Sequence, residues 1–164
     1  MNSDSSSVEN KLEDCVEPEN ALPEVTLQEL PESLQAAAAL AGWTSLMPVQ
    51  AKAIPYMLEG RDLMVQSRTG SGKTGAFVLP IVERVEPAAG CQAIVLVPTR
   101  ELAKQVAAEA ETLGGAKGVH ATAIYGGVDY GPQIKAFEDG VALVIGTPGR
   151  ILDHLMKGTL SLST

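Results

Sequence analysis

Ser67-Arg68-Thr69-Gly70-Ser71-Gly72-Lys73-Thr74 is the stretch whose residue types and spacing could do chemistry. Glycines at 70 and 72 let backbone N–H groups reach phosphate oxygens with no side chain in the way. Lys73 offers a point charge to the β- and γ-phosphates of a nucleotide, and the Thr74 hydroxyl is a ligand type for Mg²⁺. Arg68, Thr69 and Ser71 complete the lining of this candidate cofactor site. The usual spacing opens on glycine; Ser67, also small, holds that place here. An ordinary glycine-rich strand-to-helix loop is the plainer reading, but Gly-Lys-Thr with these flanks favours phosphate. Lys73 and Thr74 are the candidate catalytic residues, with Thr74 as the metal ligand.

A phosphate-loop hydrolase also needs a carboxylate at the end of another buried strand, to hold Mg²⁺ and position water. The apolar run Ala93–Val97 ends in Pro98, and Val141–Ile145 ends in Gly146. Asp153 follows Ile151-Leu152, but that segment reads as helix. The expectation is a chain that binds a nucleotide it does not hydrolyse.

The elements that must position these residues follow a βα rhythm. The periodicity predicts a helix from Leu27 to Ala41, ended by Gly42, and a second from Pro48 to Leu58, interrupted by Pro55. A strand over Asp62–Gln66 leads into the phosphate loop and a helix through about Val85. Strand Ala93–Val97 precedes a helix over about Arg100–Leu113, with Leu102, Val106, Ala110 and Leu113 as its buried stripe. Strand His120–Tyr125 ends in Gly126-Gly127, and a short helix follows near Gln133–Phe137. Strand Val141–Ile145 leads to a helix over about Gly149–Met156. Continuous apolar strands alternating with helices predict a parallel sheet covered on both faces.

Two further helix starts share the edge that holds ligands in such sheets. Pro98-Thr99-Arg100 and Thr147-Pro148-Gly149-Arg150 each offer a threonine, free N–H groups and an arginine. Alone, Thr99 and Thr147 read as N-caps with Pro148 at the first helical position. Beside Gly126-Gly127 and a nucleotide loop, they read as a track for a phosphodiester backbone.

The 164 residues fit one ordinary domain, and a hydrophobic share of 45% suits an α/β interior. Residues 1–24 carry seven acids and one base and little apolar content, so they read as a disordered acidic tail. That tail accounts for −6 of the net charge of −8 and leaves the rest nearly neutral. No run approaches a membrane span, and the polar, acidic start excludes a signal peptide. Cys15 and Cys91 lack metal spacing and suggest a reducing, cytoplasmic setting. His120 and His154 stand alone and read as surface or packing residues.

From about Val25 to its end the chain resembles the first RecA-like domain of DEAD-box ATP-dependent RNA helicases. Gly42-Trp43-Thr44-Ser45-Leu46-Met47-Pro48-Val49-Gln50 looks like the adenine-reading Q motif, and Ser67–Thr74 like motif I. Pro98-Thr99-Arg100-Glu101-Leu102-Ala103 matches motif Ia, Gly126-Gly127 the glycine doublet, and Thr147-Pro148-Gly149-Arg150 motif Ib. The resemblance implies a RecA-like P-loop NTPase three-layer sandwich with a mainly parallel sheet, here incomplete: Q-motif helices over 25–60 and a partial RecA-like domain over 61–164. It implies ATP and Mg²⁺ as cofactors, with Gln50 on the adenine edge. It implies RNA as partner, with Thr99, Arg100, Gly127, Thr147 and Arg150 gripping one strand through its backbone.

There are departures. Val25 stands where the family has a phenylalanine packed on adenine. Leu46-Met47 replaces the family's Pro-Thr and loses a hydroxyl near the phosphate loop. The chain stops at Thr164, close to where the next strand should begin, so the Asp-Glu-Ala-Asp box, the Ser-Ala-Thr motif and the second RecA-like domain lie outside it. Weak nucleotide binding, negligible hydrolysis and an aggregation-prone fold are expected. A non-enzymatic nucleotide- or RNA-binding module, a competitor of a full-length helicase, is the alternative. A kinase or transporter ATPase would need no phosphate track, and related DNA helicases fit the Q motif less well.

Overall fold

Side chains alternate across strands; the central strand of the sheet is buried on both faces and its two neighbours are covered in part. The computed structural model describes residues 20–162. Most of the acidic tail, with Cys15, lies outside the described residues. Strands β1 (Ala93–Leu96), β2 (Ala121–Ile124) and β3 (Leu143–Gly146) form one parallel sheet in the order β1-β3-β2. Ala93, Val95, Ala121, Ala123, Leu143 and Ile145 face one hydrophobic cluster, while Ile94, Ile124 and Val144 face another. This is the period-2 alternation of a sheet covered on both sides.

Helices α1 (Glu32–Leu40), α2 (Pro48–Leu58), α3 (Lys73–Arg84) and α4 (Arg100–Gly114) contribute to the first cluster. Helices α5 (Gly131–Glu138) and α6 (Pro148–Met156) contribute Phe137, Ile151 and Leu155 to the second. The result is the expected α/β three-layer arrangement around an open parallel sheet. The stripe of α4 is buried at Ala103, Val106, Ala110 and Leu113, and Leu102 is half-buried.

Three local expectations change. The helix read from Leu27 is a 3-10 turn at Leu27–Glu29, then a break, then α1. Pro31 stands before α1, and a proline restricts its predecessor to extended backbone. The interruption expected at Pro55 does not occur, and α2 runs through it. A proline in a helix leaves the carbonyl four residues earlier without its donor. Here the Val25 N–H supplies one, donating to the Ala51 carbonyl at 3.1 Å. Val25 is thereby anchored, half-buried, against the core.

The third change concerns the strand read over Asp62–Gln66. This segment forms no ladder. The side chains of Leu63, Met64 and Val65 are exposed, Met64 at 97%. A strand is stabilised by its neighbours, and β1 pairs with β3 on one side only among the described residues. Upstream, Asn20 and Leu22 are tied to the same region. Arg61 donates to the Asn20 carbonyl at 2.8 Å, and the Leu22 N–H donates to the Tyr56 hydroxyl at 2.9 Å.

Candidate functional site

The phosphate loop ends in a left-handed turn. Gly70 has φ +77° and Gly72, the N-cap of α3, has φ +88°, a region that L side chains rarely adopt. Gly72 also has no room. A Cβ there would sit 2.7 Å from Met47 Sδ and 2.8 Å from Gln50 Nε2. The unpaired N–H groups of the first turn of α3 face the loop, the arrangement that favours an anion. Lys73 Nζ donates to the Ser67 carbonyl and, at 2.6 Å, to the Arg68 carbonyl. Its charge is thus folded back across the loop. Ser71 Oγ is buried and has no hydrogen-bond partner. A buried hydroxyl without a partner is costly, and a phosphate oxygen would satisfy it. The residues present therefore fit a nucleotide phosphate.

Thr74, the expected Mg²⁺ ligand, is half-buried and lies near Glu109 of α4. Burial pushes the Glu109 carboxyl above its ordinary value, and the Thr74 hydroxyl partly offsets this. A search for a carboxylate at strand ends passes over Glu109, since it lies mid-helix and reaches the loop only through the packing of α4 on α3. Among the described residues no group of three or more His, Cys, Asp or Glu side chains is placed to hold a metal.

Gln50 is nearly fully buried. Its Oε1 accepts from the Met47 N–H at 2.8 Å, and its Nε2 donates to the Gly72 carbonyl at 3.1 Å. The Gln50 amide and the glycine-rich loop are therefore joined directly. Trp43 reinforces the junction from the side, lying where a Cβ on Gly75 would be.

The second set of predicted residues starts from a single rung. Leu96 and Ile124 are both in register with Gly146. The loops that leave this rung carry Pro98-Thr99-Arg100, Gly126-Gly127 and Thr147-Pro148-Gly149. All of these are exposed except Thr147, which is half-buried. Thr99 caps α4, accepting from the Leu102 N–H at 3.2 Å, whereas the Thr147 side chain caps nothing. Arg100 pairs with Glu101 at 2.6 Å. Lys104 lies 5.2 Å from the centroid of the Tyr125 ring, adding a cation beside the glycine doublet.

Arg150 differs from the others. Only 8% exposed, its guanidinium stacks on Tyr130 at 4.0 Å and donates to the Val128 carbonyl at 2.8 Å. It braces the glycine loop from within instead of reaching outward. Gln133 and His154, which sequence reasoning did not connect with the site, lie beside it and are buried. His120 is the surface histidine expected, paired with Glu111 at 2.7 Å. No helix among the described residues is long and apolar enough to cross a membrane.

The DEAD/DEAH box helicase family model matches residues 47–163. The ATP-dependent RNA helicase DeaD of Escherichia coli (strain K12) is 48% identical over 124 residues, which are 74% of this chain and 20% of that protein. The same-named protein of Klebsiella pneumoniae is also 48% identical over 124 residues, 19% of its length. The chain thus spans about a fifth of the length of these curated relatives. Among solved structures, a DEAD box protein from Methanococcus jannaschii aligns with a TM-score of 0.77 and 45% identity, over 85% of this chain and 39% of that one. A hypothetical ATP-dependent RNA helicase from Sulfolobus tokodaii aligns with a TM-score of 0.72 and 37% identity, over 82% and 39%.

Proposed function

This chain belongs to the DEAD/DEAH box helicase family, and from that premise we propose that it is the ATP- and RNA-binding half-domain of a DEAD-box RNA helicase. The carrying observation is the hydrogen bond from Gln50 to the Gly72 carbonyl, which makes a base-reading amide and a phosphate-binding turn one unit. Gln50 selects adenine. The N–H groups around Gly70, Ser71 and Gly72 take the phosphates, with Arg68 and Thr69 on the loop's exposed flank. Lys73 leaves the Ser67 and Arg68 carbonyls to neutralise phosphate charge. Thr74 would hold Mg²⁺ through its hydroxyl oxygen, with the hydroxyl proton kept on Thr74 and turned toward Glu109. Bound Mg·ATP would supply the phosphoanhydride whose hydrolysis drives RNA remodelling in the complete enzyme.

The loops at Pro98–Arg100, Gly126-Gly127 and Thr147–Gly149 follow one RNA strand through its phosphates and sugars, without reading bases. Arg150 acts on this track indirectly, by holding the Val128 carbonyl. A cytoplasmic setting suits this role.

The test is calorimetric titration with Mg·ADP of the parent chain, Gln50→Ala and Lys73→Ala. Binding to the parent that is lost in both variants is the expected result. Equal binding by all three would refute the site. A fluorescein-labelled single-stranded oligonucleotide, as RNA and as DNA, then tests the track by anisotropy; binding that Thr99→Ala and Thr147→Ala leave unchanged would sink it.

A further inference from the structure

A glycine doublet that must meet a phosphate backbone has little rigidity of its own, because glycine restricts its backbone least. Something else has to hold it. The carbonyls on either side of Gly126-Gly127 are both taken by buried side chains. Gln133 Nε2 donates to the Tyr125 carbonyl at 3.1 Å, and Arg150 Nη2 donates to the Val128 carbonyl at 2.8 Å. The two anchors meet at the Gln133 Oε1, which lies 3.5 Å from Arg150 Nη1 and 2.9 Å from His154 Nε2.

The orientation of this amide follows from hydrogen-bond chemistry. The Tyr125 carbonyl can only accept, so Gln133 must present its NH₂ there and its oxygen to the other side. Arg150 can only donate, which agrees. His154 therefore carries its proton on Nε2 and donates to Gln133. Its Nδ1 is left as an acceptor for the Thr159 hydroxyl at 2.8 Å, the shorter of that hydroxyl's two contacts, the other being the His154 carbonyl at 3.2 Å. The opposite tautomer would turn the Gln133 amide and set oxygen against the Tyr125 carbonyl. His154 is fully buried, and the Tyr130 and Phe137 rings meet its ring edge-on at 5.2 Å and 5.1 Å.

We propose that His154, through Gln133, is a positioning residue that fixes the Gly126-Gly127 loop for the RNA backbone. The buried Gln133 amide holds one shoulder of the loop directly and lies beside the guanidinium that holds the other, and one histidine tautomer sets that amide. The RNA part of this inference rests on the reading proposed above; the loop part does not.

The test uses the full chain with His154→Leu, which keeps the volume but removes the donor. His154→Gln restores a donor within reach of Gln133. Gln133→Met provides the same break should His154→Leu fail to fold. Amide ¹H–¹⁵N shifts and heteronuclear relaxation are read at Gly126, Gly127 and Val128, with Gly70 and Gly72 as internal controls. The loop amides shift and become more mobile in His154→Leu and Gln133→Met, return in His154→Gln, and the phosphate-loop amides stay in place. Affinity for fluorescein-labelled single-stranded oligouridine falls ~10-fold in the two breaking variants, the scale of one lost buried hydrogen bond, while Mg·ADP affinity holds. Loop amides unmoved by either variant would overturn the proposal. So would a His154→Gln as disturbed as His154→Leu, or a parallel fall in Mg·ADP affinity, since both mean general packing. Failure of the parent to bind oligouridine would fell the phosphate-track reading, and the loop amides would still decide this one.

Discussion

Gln50 and Gly72 are hydrogen-bonded, side chain to backbone, 22 positions apart in sequence. The Gln50 amide spends one N–H on the Gly72 carbonyl and one lone pair on the Met47 N–H. One N–H and one lone pair are left over, the complement of an adenine edge. Met47 covers the same space, with its sulfur close to both residues. Met47 is 42% exposed, and on the reading proposed above it is the side chain that an incoming adenine would meet beside Gln50.

Met47→Thr should improve both stability and binding. Met47 is the N-cap of α2, and its side chain makes no cap hydrogen bond. A threonine there accepts from the first turn and is worth about 1 kcal/mol of stability. It also uncovers Gln50. Thermal unfolding and Mg·ADP titration are expected to show a higher midpoint and an affinity raised ~3-fold, a change on the scale of a net hydrogen bond. A lower midpoint with unchanged affinity would mean that Met47 is a packing residue and not a cover.

Gly75→Ala tests the same junction from the other side. Within a helix that change normally stabilises, by up to about 1 kcal/mol in the interior and less in the first turn, where Gly75 stands. Here the new Cβ would enter the Trp43 ring and lie 2.7 Å from Gln50 Nε2. The sign should reverse to a loss of about 1–3 kcal/mol, as for overpacking. Trp43 is the sole tryptophan, so its fluorescence reports the site directly. Denaturant unfolding followed at Trp43 should show the lower midpoint, and a higher one would contradict the contact.

The pH dependence of stability should carry the mark of His154. Burial, with Arg150 as the next cause, holds its pKa below the ordinary 6.5. Asp153 opposes this and Lys157 supports it. A histidine depressed in the fold binds its proton more readily when unfolded, so stability rises with pH in that window. The contribution is complete above the unfolded value and is lost as pH falls through it toward the folded one. Thermal midpoints should decline from about pH 7.5 to about pH 5.5 more steeply in the parent than in His154→Gln. Parallel slopes would mean that His154 takes up its proton within the fold.

Much of this arrangement was legible in local residue patterns, because the signals were local. Lys73 and Thr74 announce themselves by Gly-x-Gly spacing, and β1, β2 and β3 by short apolar runs. What escaped depended on partners distant in sequence. Nothing local to α2 says that the Val25 N–H will occupy the carbonyl Pro55 leaves free. Nothing near Arg150 says that Val128 and Tyr130 will draw it inward. Glu109 meets Thr74 only once α3 and α4 are side by side. Asp62–Gln66 shows the converse: its apolar pattern reads as a strand, but a strand exists only where another pairs with it.

That unpaired segment gives the last expectation. Leu63, Met64 and Val65 are exposed and lie outside any strand, and Leu96 at the end of β1 is 59% exposed. β1 pairs on one side with β3, and its other side has no strand among the described residues. Unpaired strand edges bordered by apolar side chains recruit other chains. The chain should self-associate with rising concentration in sedimentation velocity. A charge within the exposed apolar segment opposes association at little cost where the replaced side chain is almost wholly in solvent. Met64→Lys, at a side chain 97% exposed, should therefore reduce association while leaving the folding stability within about 0.5 kcal/mol of the parent, as for ordinary surface changes. A monomeric parent would show that this edge is protected in solution. A destabilised Met64→Lys would show that Met64 is packed rather than exposed.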